Sequence, residues 1–258
     1  MPKRRQIYAA DLFCGAGGTS YNDLDDEIVS LFRIVRDRGA ALLRALELTP
    51  YSRTEFHLSF KLSRNPLEQA RRTVVRSYMG FGGNLTRQNR DLTPQRTGFR
   101  TYSKKNRRSI PAGDWHTYPQ HLSVIIKRLQ GVIIEKRDAS RVIREHDGDS
   151  TLHYVDPPYV HSTRGFDAGG THRGYRHEMS DDQHRELAAV LRSAKGMVVL
   201  SGYPCDLYDD ELFPDWKRFD RSHMADGARR RTEVVWLNDA AAVAMTQQRL
   251  PLAEGVGA

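Results

Sequence analysis

The sequence predicts an α/β fold: a largely parallel sheet covered by helices and interrupted by one inserted basic segment. Three observations carry this. Short apolar runs of strand type alternate with helix-periodic stretches along most of the chain. Several of those runs end in Gly-rich or Asp-containing turns, as strands do when they deliver ligand-binding residues to the edge of such a sheet. Positive charge is concentrated between Tyr51 and Trp115, where 14 Lys/Arg stand against 4 Asp/Glu in a chain whose net charge is +8.

The first strand is residues 7–13, IYAADLF, which runs into the Gly-rich turn CGAGG. From Asp25 to Leu48 the chain reads as a helix, with Ile28, Leu31, Phe32 and Val35 at i, i+3, i+4 and i+7 and a break at Gly39. The segment 51–115 has weak periodicity and three turn signals, and so reads as loop-rich. Its basic residues are interleaved with Tyr78, Phe81, Phe99, Tyr102 and Trp115, a texture that suits phosphate and base-edge contacts better than a packed core. HLSVIIKRLQ then places Leu122, Ile125, Ile126 and Leu129 on one helix face, and GVIIEKRD follows as a strand ending in Asp138.

TLHYVDPPY is a strand stopped by Pro157 and Pro158, which cannot donate to a sheet ladder. A Gly/His/Arg-rich loop spans 160–176. Ser180 and Gln183 have the spacing of a capping box for the helix DDQHRELAAVLRSAK, whose Leu187, Val190, Leu191 and Ala194 share a face. GMVVLSGY and RTEVVWLN are two further strands, and QQRLPLAEGVGA reads as a disordered tail.

The 258 residues suffice for one large domain carrying an insertion, and the 39% hydrophobic content includes no run near the roughly 18 apolar residues of a membrane span. The N-terminus has a basic start but too short an apolar run for a secretory signal, so the chain reads as cytoplasmic; a monomer is expected. Cys14 and Cys205 are the only cysteines, too few for a four-cysteine zinc site, and no metal is expected.

YVDPPY, with Asp156-Pro157-Pro158-Tyr159 at the end of an apolar strand, resembles the catalytic motif of DNA methyltransferases that methylate exocyclic amino groups. An exocyclic amino group on a base is a poor nucleophile because its lone pair is delocalised into the ring. Hydrogen-bond acceptors aimed at its protons favour a pyramidal nitrogen and stabilise the charge that develops on attack. Asp156 supplies a carboxylate, Pro157 a carbonyl free of the sheet, and Tyr159 a face on which a base can stack.

The motif and its flanks resemble the DNA adenine methylase family, in particular its phage-type members. The blocks are YNDLDDEIVSLFRIVRD, FGGNLTR with TGFR, RLQGVIIEKRDAS, LHYVDPPYVHSTRG, YRHEMSDDQHRELAAVL, VVLSGYPCDLYDD and RRTEVVWLN, spread over residues 21–238. The resemblance implies a Rossmann-like S-adenosylmethionine-dependent methyltransferase core, formed by 1–50 and 116–245. It also implies a target-recognition region at 51–115, with a tail at 246–258. It implies methylation of an adenine flipped out of double-stranded DNA. The cofactor would meet Asp11, Phe13, Gly15 and Gly17 of the Gly-rich motif, Asp23 at the ribose and Asp138 at the adenine. Arg87, Arg100, Lys104, Lys105, Arg107, Arg108 and Arg164 would contact nucleic acid.

Two features keep other readings open. DLFCGAGG also resembles the cofactor motif of cytosine carbon-5 methyltransferases, and Tyr203-Pro204-Cys205 offers a cysteine after proline. Only Thr19 and Ser20 separate Gly18 from Tyr21, where the adenine family has a helix and a second strand. A crossover needs at least about a dozen residues, so the first strand-helix-strand unit is truncated, and the chain could be a catalytically impaired DNA-binding relic. The expectation remains that Gly15 to Gly18, Asp138 and Asp156 to Tyr159 share one rim of the sheet.

Overall fold

The computed structural model describes residues 12–15, 18–80, 98–101, 111–163, 177–224 and 230–247. In chain order its elements are β1 (Leu12–Gly15), β2 (Gly18–Asn22), α1 (Asp26–Glu47), α2 (Arg53–Leu58), α3 (Pro66–Met79), α4 (Pro111–Leu129), β3 (Val132–Glu135), α5 (Ala139–His146), β4 (Leu152–Val155), α6 (Asp181–Ser193), β5 (Met197–Gly202), β6 (Lys217–Met224), β7 (Arg230–Leu237) and α7 (Asp239–Gln247). A π-helical turn, Leu207–Leu212, lies between β5 and β6. No helix among the described residues is long and apolar enough to cross a membrane.

The chain divides into two compact units. One runs from Asp25 to Lys136 and holds α1 to α4 with β3; the other joins Ile7–Leu24 to Arg137–Ala258. These boundaries differ from those expected of a 51–115 insertion, since α1 and α4 belong with the basic segment.

In the first unit α1 packs against α3 and α4. Asp25 caps α1 by accepting from the Glu27 N–H at 2.8 Å. The expected break near Gly39 is a kink at Arg38 (φ −135°, ψ 30°), after which the helix continues. Gly39 is required there: a Cβ would lie 2.6 Å from the Ile126 side chain of α4. Segment 51–115 is less loop-rich than expected. Ser52 caps α2, and Asn65 with Pro66 starts α3, signals that weak periodicity concealed. Buried Glu27 accepts from Gln69, Thr73 and Arg76, which ties α1 to α3. Of the face assigned to α4, Leu122 and Leu129 are buried whereas Ile125 is exposed.

Among the described residues the second unit carries six strands in the order β2-β1-β4-β5-β7-β6. Only β4–β5 is parallel; β1–β2, β1–β4, β5–β7 and β6–β7 are antiparallel. The expected largely parallel sheet is therefore mixed. Because β1 and β7 are the reversed strands, β2, β4, β5 and β6 still run the same way. Helices α5 and α6 cover one face, packing Val142, Ile143, Leu187 and Leu191 onto Val155, Val198, Leu200, Val234 and Trp236. The capping box is formed: Ser180 Oγ accepts from the Gln183 N–H and Gln183 Oε1 from the Ser180 N–H. Strand β6 and helices α5 and α7 were not read from the sequence, and α7 occupies the start of the expected tail.

Candidate active site

Asp156 follows β4 directly, and the two prolines behind it end the ladder. Val155 pairs with Leu200 on the parallel neighbour β5, so the next step brings Asp156 beside Ser201. Tyr159 and Ser201 both hydrogen-bond the Asp156 carboxyl. The residue is only 8% exposed, and its Oδ1 has no hydrogen-bond partner among the described residues. Burial pushes the carboxyl up to about 7; the Tyr159 hydrogen bond opposes this, the negative charge of Glu233 on β7 adds to it, and the Ser201 hydrogen bond opposes it again. A buried acceptor oxygen with nothing to accept from is costly unless a ligand completes it.

Tyr159 departs from expectation. Its ring is 5% exposed and meets the half-buried ring of Tyr203 edge-on, with centroids 4.6 Å apart and planes at 72°. It is not an open stacking face; its hydroxyl is committed to Asp156 and its ring to Tyr203.

A second group of acids gathers at the carboxyl end of β2. Asp23, 5% exposed, accepts a hydrogen bond from the Tyr21 hydroxyl at 3.1 Å. Asn22 clamps the chain ahead of Asp138: its Oδ1 accepts from the Arg137 N–H and its Nδ2 donates to the Arg137 carbonyl, both at 2.9 Å. Asp138 is exposed and caps α5, accepting from the Arg141 N–H at 3.1 Å through Oδ1. Since β2 and β4 are each antiparallel to β1, they run parallel to one another, and Asp23 and Asp156 emerge at the same rim.

The Gly-rich turn does not join them. β1 and β2 form a hairpin in which Gly15 pairs with Gly18, and Gly18 has φ +136°, a conformation rarely open to other residues. Phe13 pairs with His153 and Leu12 with Tyr154, so Gly15 points to the start of β4. It is displaced from Asp156 by about five residues, roughly 16 Å of strand. The expectation that these glycines share a rim with Asp156 is overturned. The reason is length: two residues can close a hairpin but not a crossover, so β1 must run antiparallel to β2. Asp11 and Gly17 lie outside the described residues.

Of the residues expected to contact nucleic acid, Arg87, Lys104, Lys105, Arg107, Arg108 and Arg164 lie outside the described residues. Arg100 is half-buried: its N–H donates to the Met79 carbonyl at 2.7 Å, its carbonyl accepts from the Tyr51 hydroxyl at 2.6 Å, and its guanidinium lies over the Tyr78 ring. The interleaved aromatics Tyr78, Phe99 and Trp115 pack within their own unit. Trp115 stacks with Tyr118 and donates to the Thr49 carbonyl at 2.8 Å, and Phe99 contacts Tyr51 and Phe56.

Cys205 is poorly suited to act as a nucleophile. Burial pushes its thiol up, and the charges of Asp209, Asp206 and Asp181 add to the effect. Ser201, Tyr203 and Glu233 were missed as site residues. Ser201 and Tyr203 could have been found from the sequence, because they end the apolar strand next in order to the one bearing DPPY.

A comparison with protein-family models matches residues 1–226 to the D12 class N6 adenine-specific DNA methyltransferases. A search of curated proteins returns no match.

Proposed function

The chain belongs to the D12 class N6 adenine-specific DNA methyltransferase family, and from that premise we propose that it methylates the exocyclic amino group of an adenine flipped out of double-stranded DNA at a specific site. The observation that carries the proposal is the buried, unpartnered Asp156 Oδ1 at the carboxyl end of β4. In the proposed complex this oxygen and the Pro157 carbonyl accept the two amino protons. The nitrogen lone pair is drawn out of conjugation, and the positive charge that grows on nitrogen meets a carboxylate. A carboxyl pushed up to about 7 is also basic enough to take the proton that the methylated nitrogen sheds. The base must leave the duplex, since a stacked and paired amino group is out of reach of a buried side chain. The basic segment 51–115, with Arg87, Lys104, Lys105, Arg107 and Arg108, and Arg164 further along the chain, would hold the phosphates, whereas Arg100 is engaged within its own unit.

S-adenosylmethionine is the donor proposed, and the chemistry it supplies when bound is an electrophilic methyl group. The residues fit it in part. Asp23 after β2 and Asp138 at the start of α5 present carboxylates suited to ribose hydroxyls and an adenine amino group. The Gly15–Gly18 turn does not fit, because it lies at the other edge of the sheet. No residue is therefore assigned to the methionine end.

That misfit favours a second reading, a family member that grips DNA but transfers methyl groups poorly. Sequencing of DNA from cells expressing the protein, with detection of modified bases, tests both. The first reading expects N6-methyladenine at one sequence context with wild type and none with Asp156→Ala. The second expects no modification and no calorimetric affinity for S-adenosylmethionine. Methylcytosine that disappears in Cys205→Ser would overturn both.

A further inference from the structure

The strand register places three polar side chains on one face of the sheet. Paired residues on neighbouring strands share a face, and every second residue along a strand returns to it. Val155 pairs with Leu200, so Asp156 and Ser201 lie together on the opposite face to those two. Ser201 pairs with Val235, and Glu233, two residues earlier on β7, lies on that same face. Burial agrees with this geometry. Val198, Leu200, Val234 and Trp236 are sealed under α5 and α6, whereas Ser201, Glu233 and Val235 are half-buried on the other side.

We propose that Ser201 and Glu233 are positioning residues that act on Asp156 from opposite directions, Ser201 holding the carboxylate by a hydrogen bond and Glu233 opposing its charge. The proposal rests on Asp156 being the acceptor for the substrate amino group. The Ser201 and Tyr159 hydroxyls both favour the charged carboxylate, and Oδ1, which has no hydrogen-bond partner among the described residues, is left for the base. Glu233 keeps the carboxylate from being over-stabilised, so that it remains basic enough to take a proton. The other groups around the pair are the Tyr208 hydroxyl of the π-turn, which senses the Asp156 charge, and Arg221 on β6, which pairs in register with Glu233.

The test is a carboxyl-carbon NMR titration of the full chain labelled at aspartate, with Asp156 identified as the resonance missing from Asp156→Asn. In Ser201→Ala the Asp156 titration is expected to move up by about one pH unit, and in Glu233→Gln down by about one. Ser201→Thr, which keeps the hydroxyl, is expected to titrate as wild type. Where DNA is methylated, the acid limb of kcat/KM shifts by the same amounts, with KM for DNA unchanged. A titration that neither Ser201→Ala nor Glu233→Gln moves, or that both move in the same direction, overturns the proposal. Absence of methylation by wild type would instead overturn the methyltransferase reading, and the titration would still decide the roles of Ser201 and Glu233.

Discussion

Tyr159 hydrogen-bonds the carboxyl of Asp156, three residues before it, while its ring packs edge-on against Tyr203. The two ends of this side chain have separable jobs. Tyr159→Phe keeps the ring packing and removes one support of the carboxylate; kcat for methylation is expected to fall about tenfold, the loss of roughly one hydrogen bond to a charged group, with the folded state intact. Tyr159→Ala removes a buried ring and is expected to cost about 3–5 kcal/mol in urea denaturation. Equal activity in Tyr159→Phe and wild type would remove the hydroxyl from the mechanism.

Asp156 weakens the fold it serves. Its folded carboxyl titrates near 7, above the ordinary carboxylate range, because burial disfavours the charge. A raised folded value means the native state holds the proton more tightly than the unfolded chain does. The contribution to stability is therefore full below the unfolded value near 4 and is lost as pH rises through about 7. Asp156→Asn, which carries no charge, is expected to match wild type near pH 4 and to be more stable by about 2–4 kcal/mol at pH 8. Thermal unfolding at the two pH values checks this; a gain at pH 4 and none at pH 8 would reverse the sign.

Gly18 holds φ +136° at the hairpin corner, with nothing within 4 Å of where a Cβ would stand. The obstacle to a side chain is backbone strain alone. Gly18→Ala is expected to cost about 1–3 kcal/mol of stability. Because the corner lies away from Asp156, calorimetric affinity for S-adenosylmethionine should not change once the variant is folded. A selective loss of affinity would place the turn at the cofactor after all.

Glu27 and Arg76 form a buried ion pair between α1 and α3, with side chains 7% and 2% exposed. Arg76 also donates to the Ser59 carbonyl at 2.8 Å. Removing one partner strands the other charge, so Glu27→Leu or Arg76→Met alone is expected to cost about 3–5 kcal/mol. The double variant is expected to cost far less than the two losses added together. Denaturation midpoints of the three variants measure the coupling.

Much of this site is legible in the sequence, and the illegible parts have physical causes. Two adjacent prolines after an apolar run mark the end of β4 without ambiguity, and the blocks around DPPY carry the family. The Ser180–Gln183 capping box is local chemistry and is formed as read. Glu233 escaped because it meets Asp156 only through cross-strand register, which no local pattern encodes, whereas Ser201 was open to inference as the end of the next apolar strand. α2 escaped because six residues are too few to show a period, and α3 because three arginines interrupt its apolar positions, although Ser52 and the Asn65-Pro66 pair announce their starts. The direction of β1 was open to inference, since two residues cannot complete a crossover, yet the resemblance of the Gly-rich motif argued for the opposite direction.

The hairpin has a consequence for how the chain is made. β1 meets β2 almost at once, but its other edge pairs with β4, where Leu12 and Tyr154 are 142 residues apart. At a synthesis rate of about 5–20 residues per second, that edge waits roughly seven to thirty seconds for its partner to emerge. Throughout that interval a nascent chain shows an unpaired strand to its neighbours, a template for aggregation. Translation speed and chaperone supply, more than the equilibrium stability of the finished sheet, should then decide how much of the protein is recovered in native form.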